Sequence, residues 1–185
     1  MTPPDDPRAR DVLAFWFRGD ANDPRWFRKD AQFDREIAER FLPLYERAAS
    51  GSLAAWKEDP ASSLALVVVL DQFPRNMFRG TPRAFAADAL ALDTARTIVA
   101  RGWDAAMAPQ QRLFAYLPFE HSEALADQDR ACELMRDLDD EHRRYAERHR
   151  EIIRRFGRFP HRNEILGRAS TPEELEFLKQ PGSGF

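Results

Sequence analysis

The chain has 185 residues, 43% of them hydrophobic and 32% charged, the make-up of one folded domain rather than of a disordered or fibrous chain. Lys+Arg 28 against Asp+Glu 31 leaves a net charge of −3, which argues against a nucleic-acid binder, because phosphate contacts need a positive excess. The longest apolar run, Leu64 to Leu70, is far short of the ~20 residues of a membrane span, the start Met1-Thr-Pro-Pro-Asp-Asp-Pro7 does not read as a secretory leader, and the single Cys132 allows no internal disulfide and fits a reducing cytoplasm.

The apolar residues recur at helical spacing along the whole chain. Ala9, Val12, Leu13, Trp16 and Phe17 predict a first helix with one apolar stripe. Asp30 reads as the N-cap of a second helix that buries Phe33, Ile37, Phe41, Leu44, Tyr45 and Ala48. Pro43 should kink that helix, and Gly51 lies just past its end. Leu64 to Leu70 would suit a buried strand, but Asp59-Pro60 is a helix start and the chain has no second strand-like run to pair with it. A buried central helix is therefore expected, ended by Phe73-Pro74.

Thr81-Pro82 opens a further helical stretch carrying Phe85, Leu92, Ala95, Ile98 and Val99, closed at Gly102. Pro109 starts a short helix with Leu113, Phe114 and Leu117, and Pro118 should stop it. Leu125, Ala131, Cys132, Met135 and Leu138 mark another helix. Tyr145, His149, Ile152, Ile153 and Phe156 mark the last long one, ending at Gly157. Thr171-Pro-Glu-Glu174 is a capping box that starts a terminal helix with Leu175 and Leu178. The expected organisation is all-α, with one domain over residues 1–179 and an irregular tail over 180–185.

Three polar segments interrupt this amphipathic background: Asp71-Gln-Phe-Pro-Arg-Asn-Met-Phe-Arg79, Tyr116-Leu-Pro-Phe-Glu-His-Ser-Glu123 and Phe156-Gly-Arg-Phe-Pro-His-Arg-Asn163. Each mixes aromatic anchors with ionisable groups at an expected helix boundary, where backbone donors and acceptors are free. The first and third echo each other, placing Arg-Asn just after a proline turn (Phe73-Pro-Arg-Asn76 and Phe159-Pro-His-Arg-Asn163). These three segments, with Leu166-Gly-Arg-Ala-Ser-Thr-Pro-Glu-Glu174, Phe177-Leu178, Val12-Leu-Ala-Phe-Trp-Phe17 and Arg25-Trp-Phe27, closely resemble the bacterial domain-of-unknown-function family 924. The resemblance covers almost the whole chain. It implies an all-helical fold of the tetratricopeptide-like type, with helical hairpins stacked on one another, and it implies no activity.

The four histidines, His121, His142, His149 and His161, all fall in residues 121–185. With Glu120, Glu123 and Glu147 they invite a metal site, but no His-Glu-x-x-His pair is present and His121 and Glu123 do not share a helix face. No metal is therefore expected, and no cofactor class follows from the residues. His149, inside an apolar stripe, reads as a hydrogen-bonded core residue. Ser122 between His121 and Glu123 is no triad, and no Gly-x-Ser-x-Gly or glycine-rich phosphate loop occurs.

An anion pocket fits the residue types better. Arg75 and Arg162, supported by Arg79 and Arg158, could hold a phosphate or carboxylate if the segments converge. Asn76 and Asn163 would orient it, and His121 or His161 would move protons near neutral pH. The plainer alternative is that Asp71 and Glu123 consume these arginines as internal ion pairs. Residues 120–141 hold nine acids and two arginines, and residues 142–162 hold eight arginines and two acids. Two helices of opposite sign should attract as a hairpin, and an acidic partner or RNA for the Arg-rich one is the lesser alternative. Two functions remain open at this level: a pocket for a small anionic ligand, with Asp71, Arg75, Asn76, Glu123, Arg158, Arg162 and Asn163 holding it, or a helical scaffold whose groove takes a peptide or protein partner.

Overall fold

A computed structural model of the chain describes residues 5–19 and 23–184, and every regular element among them is helical. Most of the acidic start (Met1 to Pro4) and the last tail residue, Phe185, lie outside the described residues. The chain forms two compact units, one from residues up to Arg79 with Arg83–Pro118, the other from Gly80–Pro82 with Phe119 onwards.

In the first unit α1 spans Pro7–Trp16, with Asp6 as its N-cap accepting from Arg8 N and proline in its first turn. Its buried residues are Ala9, Val12, Phe15 and Trp16, so Phe15 takes the core position that the spacing gave to Leu13 and Phe17, which are only half-buried. The cause is the flank α1 presents: Phe15 stacks on Phe33 (5.6 Å) and meets Phe41 (5.0 Å). Those rings belong to α2, Ala31–Ala49, which Asp30 caps through Gln32 N and Phe33 N and which runs on through Pro43. Trp26, whose indole donates to Trp16 O (3.0 Å), and Trp56, which donates to Asp6 Oδ2 (3.0 Å), are both buried.

The central helix is longer than the sequence suggests. α3, Pro60–Val67, is capped by Asp59 and passes into a π-helical turn, Val68–Gln72, and then into α4, Phe73–Met77. Every residue from Ala61 to Pro74 is buried. The expected stop at Phe73-Pro74 is therefore corrected. Proline has no N–H and its ring collides with the carbonyl four residues back in a regular helix. Here the chain widens instead, with Phe73 N–H donating to Val68 O, five residues back. The Arg-Asn pair of the first segment thus lies inside a helix, and the echo with the third segment is one of sequence only.

A 3₁₀ turn, Pro82–Phe85, precedes α5, Asp88–Ala100, so the stretch opened by Thr81-Pro82 is two elements. Gly102, at φ 66°, ends it in the left-handed region that suits glycine. α6, Pro109–Glu120, continues two residues beyond Pro118 rather than stopping there.

The second unit holds α7, Leu125–Met135, and α8, Asp140–Phe156, which pack on each other across residues 136–139. Arg150 Nη1 reaches Asp129 Oδ1 at 3.5 Å between them, the pairing of opposite charge expected of this hairpin. Tyr145, expected on the apolar stripe of α8, is 45% exposed, while His149, Ile152 and Ile153 are buried. Gly157 closes α8 at φ 69°. A 3₁₀ turn, Pro160–Arg162, and α9, Pro172–Leu178, complete the unit, and the Thr171/Glu174 capping box is formed. Leu175 is exposed, and Glu174 takes the buried place. No helix among the described residues is long and apolar enough to cross a membrane.

Candidate functional site

The expected site residues fall into two clusters, one in each unit. In the first unit the wide π turn sets Asp71 fully inside the protein. Arg75 Nη1 lies 3.1 Å from Asp71 Oδ1 and donates to Asp71 O (2.7 Å) and Asp88 Oδ1 (2.8 Å), while its Nη2 donates to Asp88 Oδ2 (3.0 Å). Gln72 Nε2 donates to Asp71 Oδ2 (2.5 Å). Burial lowers the affinity of the Arg75 guanidinium for its proton, but Asp71 and Asp88 outweigh this and raise it. One turn on, Asn76 Nδ2 donates to Asp34 Oδ1 (2.7 Å), and Arg79 Nη2 reaches the same oxygen at 3.0 Å. These side chains tie the central helix to α2 and α5.

In the second unit everything gathers on residues Phe119–Glu123, where α6 ends. The last carbonyls of a helix have no partner within it, and here side chains from later elements supply the donors. Gln128 Nε2 donates to Glu120 O (2.7 Å) and Ser122 O (2.6 Å), and Arg162 Nη1 donates to His121 O (3.0 Å). Glu123 accepts from Phe159 N (2.8 Å) and from both ends of the Arg168 guanidinium (2.7 and 2.9 Å). Burial alone would raise its pKa, but these hydrogen bonds hold it below the usual carboxylate range. The expected pairing of Glu123 with an arginine of the three segments is corrected here: its bidentate partner is Arg168. Arg158 pairs with Glu174 through Nε (2.7 Å) and Nη2 (2.8 Å), which brings Glu174 to about 2. Asn163, fully buried, donates to Ser170 Oγ (3.0 Å).

On this frame two imidazoles and one guanidinium surround Phe159, with His121 near enough for its charge to act on both imidazoles. His149 meets the Phe159 ring edge-on at 5.7 Å, His161 lies 5.6 Å from it, and Arg162 Cζ stacks over it at 4.5 Å. His149 Nδ1 is 2.9 Å from Tyr145 O and 3.2 Å from Glu120 Oε1. Burial pushes His149 down to about 3, helped by the nearby positive charges of His121, Arg162 and His161 and opposed by the bond to Tyr145 O. Burial likewise pushes His161 down to about 4, with Arg162 adding to it and Glu123 opposing. Both rings are neutral at pH 7. The arrangement can therefore donate or accept hydrogen bonds beside a fixed positive charge.

His121 and His161 are half-buried, whereas His149 and Glu120 lie inside. His142 sits apart on the N-terminal turn of α8, bound to Asp139. His149 is the buried, hydrogen-bonded residue its place on the apolar stripe predicts, and Glu120, which sequence grouped with the residues inviting a metal site, is buried beside it. Their burial on facing positions of α8 and the end of α6 is the tertiary fact that joins them. Among the described residues, no group of three or more His, Cys, Asp or Glu is arranged to hold a metal ion.

Fold and cluster together define an all-helical protein with a polar, histidine-rich core in its C-terminal unit. Residues 12–182 match the family described as Bacterial protein of unknown function (DUF924), and the chain belongs to that family. Among solved structures it is similar to a protein of unknown function from Agrobacterium tumefaciens, at 47% identity and a TM-score of 0.89, over 93% of this chain and 97% of that one. No curated protein matches it.

Proposed function

We propose that the protein binds a small anionic ligand at the cluster around Phe159, and that His121 and His161 exchange protons with it. The observation that carries this reading is the gathering of two imidazoles and Arg162 about one aromatic ring in the second unit, with His121 near enough for its charge to act on both. Arg162 would supply the charge for a carboxylate or phosphate, Asn163 would lie beside it, and Glu123 and Arg158 would hold the surrounding loop in place through Arg168 and Glu174. Asp71, Arg75 and Asn76 then serve the architecture of the first unit. A thermal-shift screen against inorganic phosphate, a phosphate monoester, acetate and citrate tests it. A ligand at a hundred times its dissociation constant stabilises by about 2.7 kcal/mol, several degrees for a chain of this size. The shift is expected to disappear in Arg162→Gln and to survive in Arg79→Gln; no shift with any anion overturns the reading.

One observation favours the peptide-scaffold reading as a second possibility. An open cleft of about 390 Å³ in the first unit sets Phe41, Leu44, Pro7 and Pro43 beside Arg8, Arg40 and Arg47. Stacked hairpins of the tetratricopeptide-like kind commonly present such grooves, although fold alone does not assign the role. Binding of a fluorescent acidic peptide with one bulky apolar side chain, lost in Leu44→Asp, is the outcome that would move the function there.

A further inference from the structure

We propose that the C-terminal tail, Gln180 to Gly184, is a strap closed over His161, and that it must open before an anion reaches His161 and Arg162. The inference rests on the anion-binding reading above and adds how that site is regulated. Its basis is the path of the tail. After α9 the chain turns back on the unit, with Ser183 Oγ donating to Leu178 O (3.1 Å) and Ser183 N to Gln180 O (3.3 Å). Gly182 O accepts from Arg148 Nη2 of α8 (3.4 Å). Gly184 then comes down on the 3₁₀ turn, so near His161 that a methyl added to it would lie 3.6 Å from His161 Cβ and 3.9 Å from Cγ. Gln180, Pro181, Gly182 and Gly184 are themselves exposed, so the tail is the outer layer here. Beneath it His161 is half-buried, its Nδ1 has no exposed surface, and Arg162 is buried.

The same residues make the strap easy to open. Gly182-Ser-Gly184 has little side chain to bury, and the bond from Arg148 is long for a hydrogen bond. Segments with exposed backbone and few buried groups open at low cost. Arg148 also has a resting place without the strap, because its Cζ lies 5.5 Å from the centre of the Tyr145 ring on its own helix. The closed form depends on glycine at one position. Gly182 sits at φ 77°, in the left-handed region, and a Cβ there would collide with Arg148 Nη2. Arg148 could swing clear only by giving up its bond to Gly182 O. Gly184 lies outside that region, and a methyl on it makes an ordinary contact with His161. An anion that binds only the open form pulls the strap open by mass action, and its apparent affinity is reduced by the fraction of chains that are open.

Histidine modification by diethyl pyrocarbonate at pH 7, mapped residue by residue by peptide mass spectrometry, tests this in the full chain. Wild type, Gly182→Val and Gly184→Ala are compared. His161 is expected to react about fivefold to thirtyfold faster in Gly182→Val, the shift in the open-to-closed ratio that a side chain forced into the left-handed region imposes. Gly184→Ala should react as wild type does, and His142, at the other end of α8, should not change in either. Inorganic phosphate should raise the melting temperature of Gly182→Val at a correspondingly lower concentration than it does wild type. Equal His161 rates in wild type and Gly182→Val overturn the strap, whatever the anions do. A faster His161 with unchanged phosphate affinity overturns its role as a gate. A faster His161, with no melting shift from phosphate, acetate or citrate in any of the three proteins, supports the strap and overturns the anion reading alone. Should Gly182→Val fold poorly, Arg148→Ala, which removes the same hydrogen bond from the side of α8, replaces it and should raise the His161 rate in the same direction.

Discussion

At His149 and His161 two side chains with an ordinary pKa of 6.5 are held neutral down to about 3 and about 4. The unfolded chain takes up these protons below pH 6.5, whereas the folded protein does not. Protonation therefore favours the unfolded state: stability is complete above pH 6.5 and is lost as the pH falls towards about 4. Between pH 7 and about pH 5 the loss is expected to be about 2 kcal/mol per histidine. Urea denaturation across that range checks it, and His161→Gln should flatten the dependence by roughly half. Sequence showed which residue types could carry a charge but not which pairs they would form. Asp71 was expected to pair with one of the arginines, and it meets Arg75, four residues on, because the helix continues through Pro74. That Glu123 would take Arg168, 45 residues away, was not readable, because such a partner is chosen by how the chain returns on itself.

Among elements, the starts were readable and the stops were not always so. Asp30, Asp59 and Thr171 cap their helices with the side-chain bonds their positions suggest, and these caps act within one turn, so local sequence is enough to find them. Asp59→Ala should cost about 1 kcal/mol in urea denaturation, with fast amide exchange confined to the first turn of α3. Pro74 and Pro118 did not end their helices, since tertiary packing can offset a missing N–H. At Pro74 the π turn relieves the clash and keeps Leu70 and Asp71 facing inward. Leu70→Ala is accordingly expected to lose about 2 to 5 kcal/mol. Asp71→Asn is expected to lose about 3 kcal/mol, because it removes a charge facing the largely buried Arg75. Both are measurable as lowered denaturation midpoints with unchanged slopes.

For the whole molecule, hydrophobic period and the want of a second strand-like run already specified an all-α chain, and that is the fold. The apportioning of residues between two units left no mark on composition, because the boundary runs through α6 rather than through a Gly- or Ser-rich linker. The candidate site was readable as two of the three polar segments, 116–123 and 156–163. Its buried members were harder to see: His149 lies on a regular apolar stripe, where its burial was foreseeable but its neighbours were not. Bringing residues 120, 121, 149 and 161 together depends on a hairpin followed by a return of the chain, a distance over which sequence periodicity carries no information.

The tie between Glu123 and Phe159 N spans 36 residues, while α7 and α8 meet across only residues 136–139. Contacts close in sequence form first, and long closures wait for them because they sacrifice more chain entropy. During refolding the α7–α8 hairpin is therefore set before the third segment docks, and the imidazole cluster is among the last features of the second unit to appear. A nascent or partly unfolded chain would carry its helices but not its buried, neutral imidazoles, so helix content and histidine burial should recover on separate clocks.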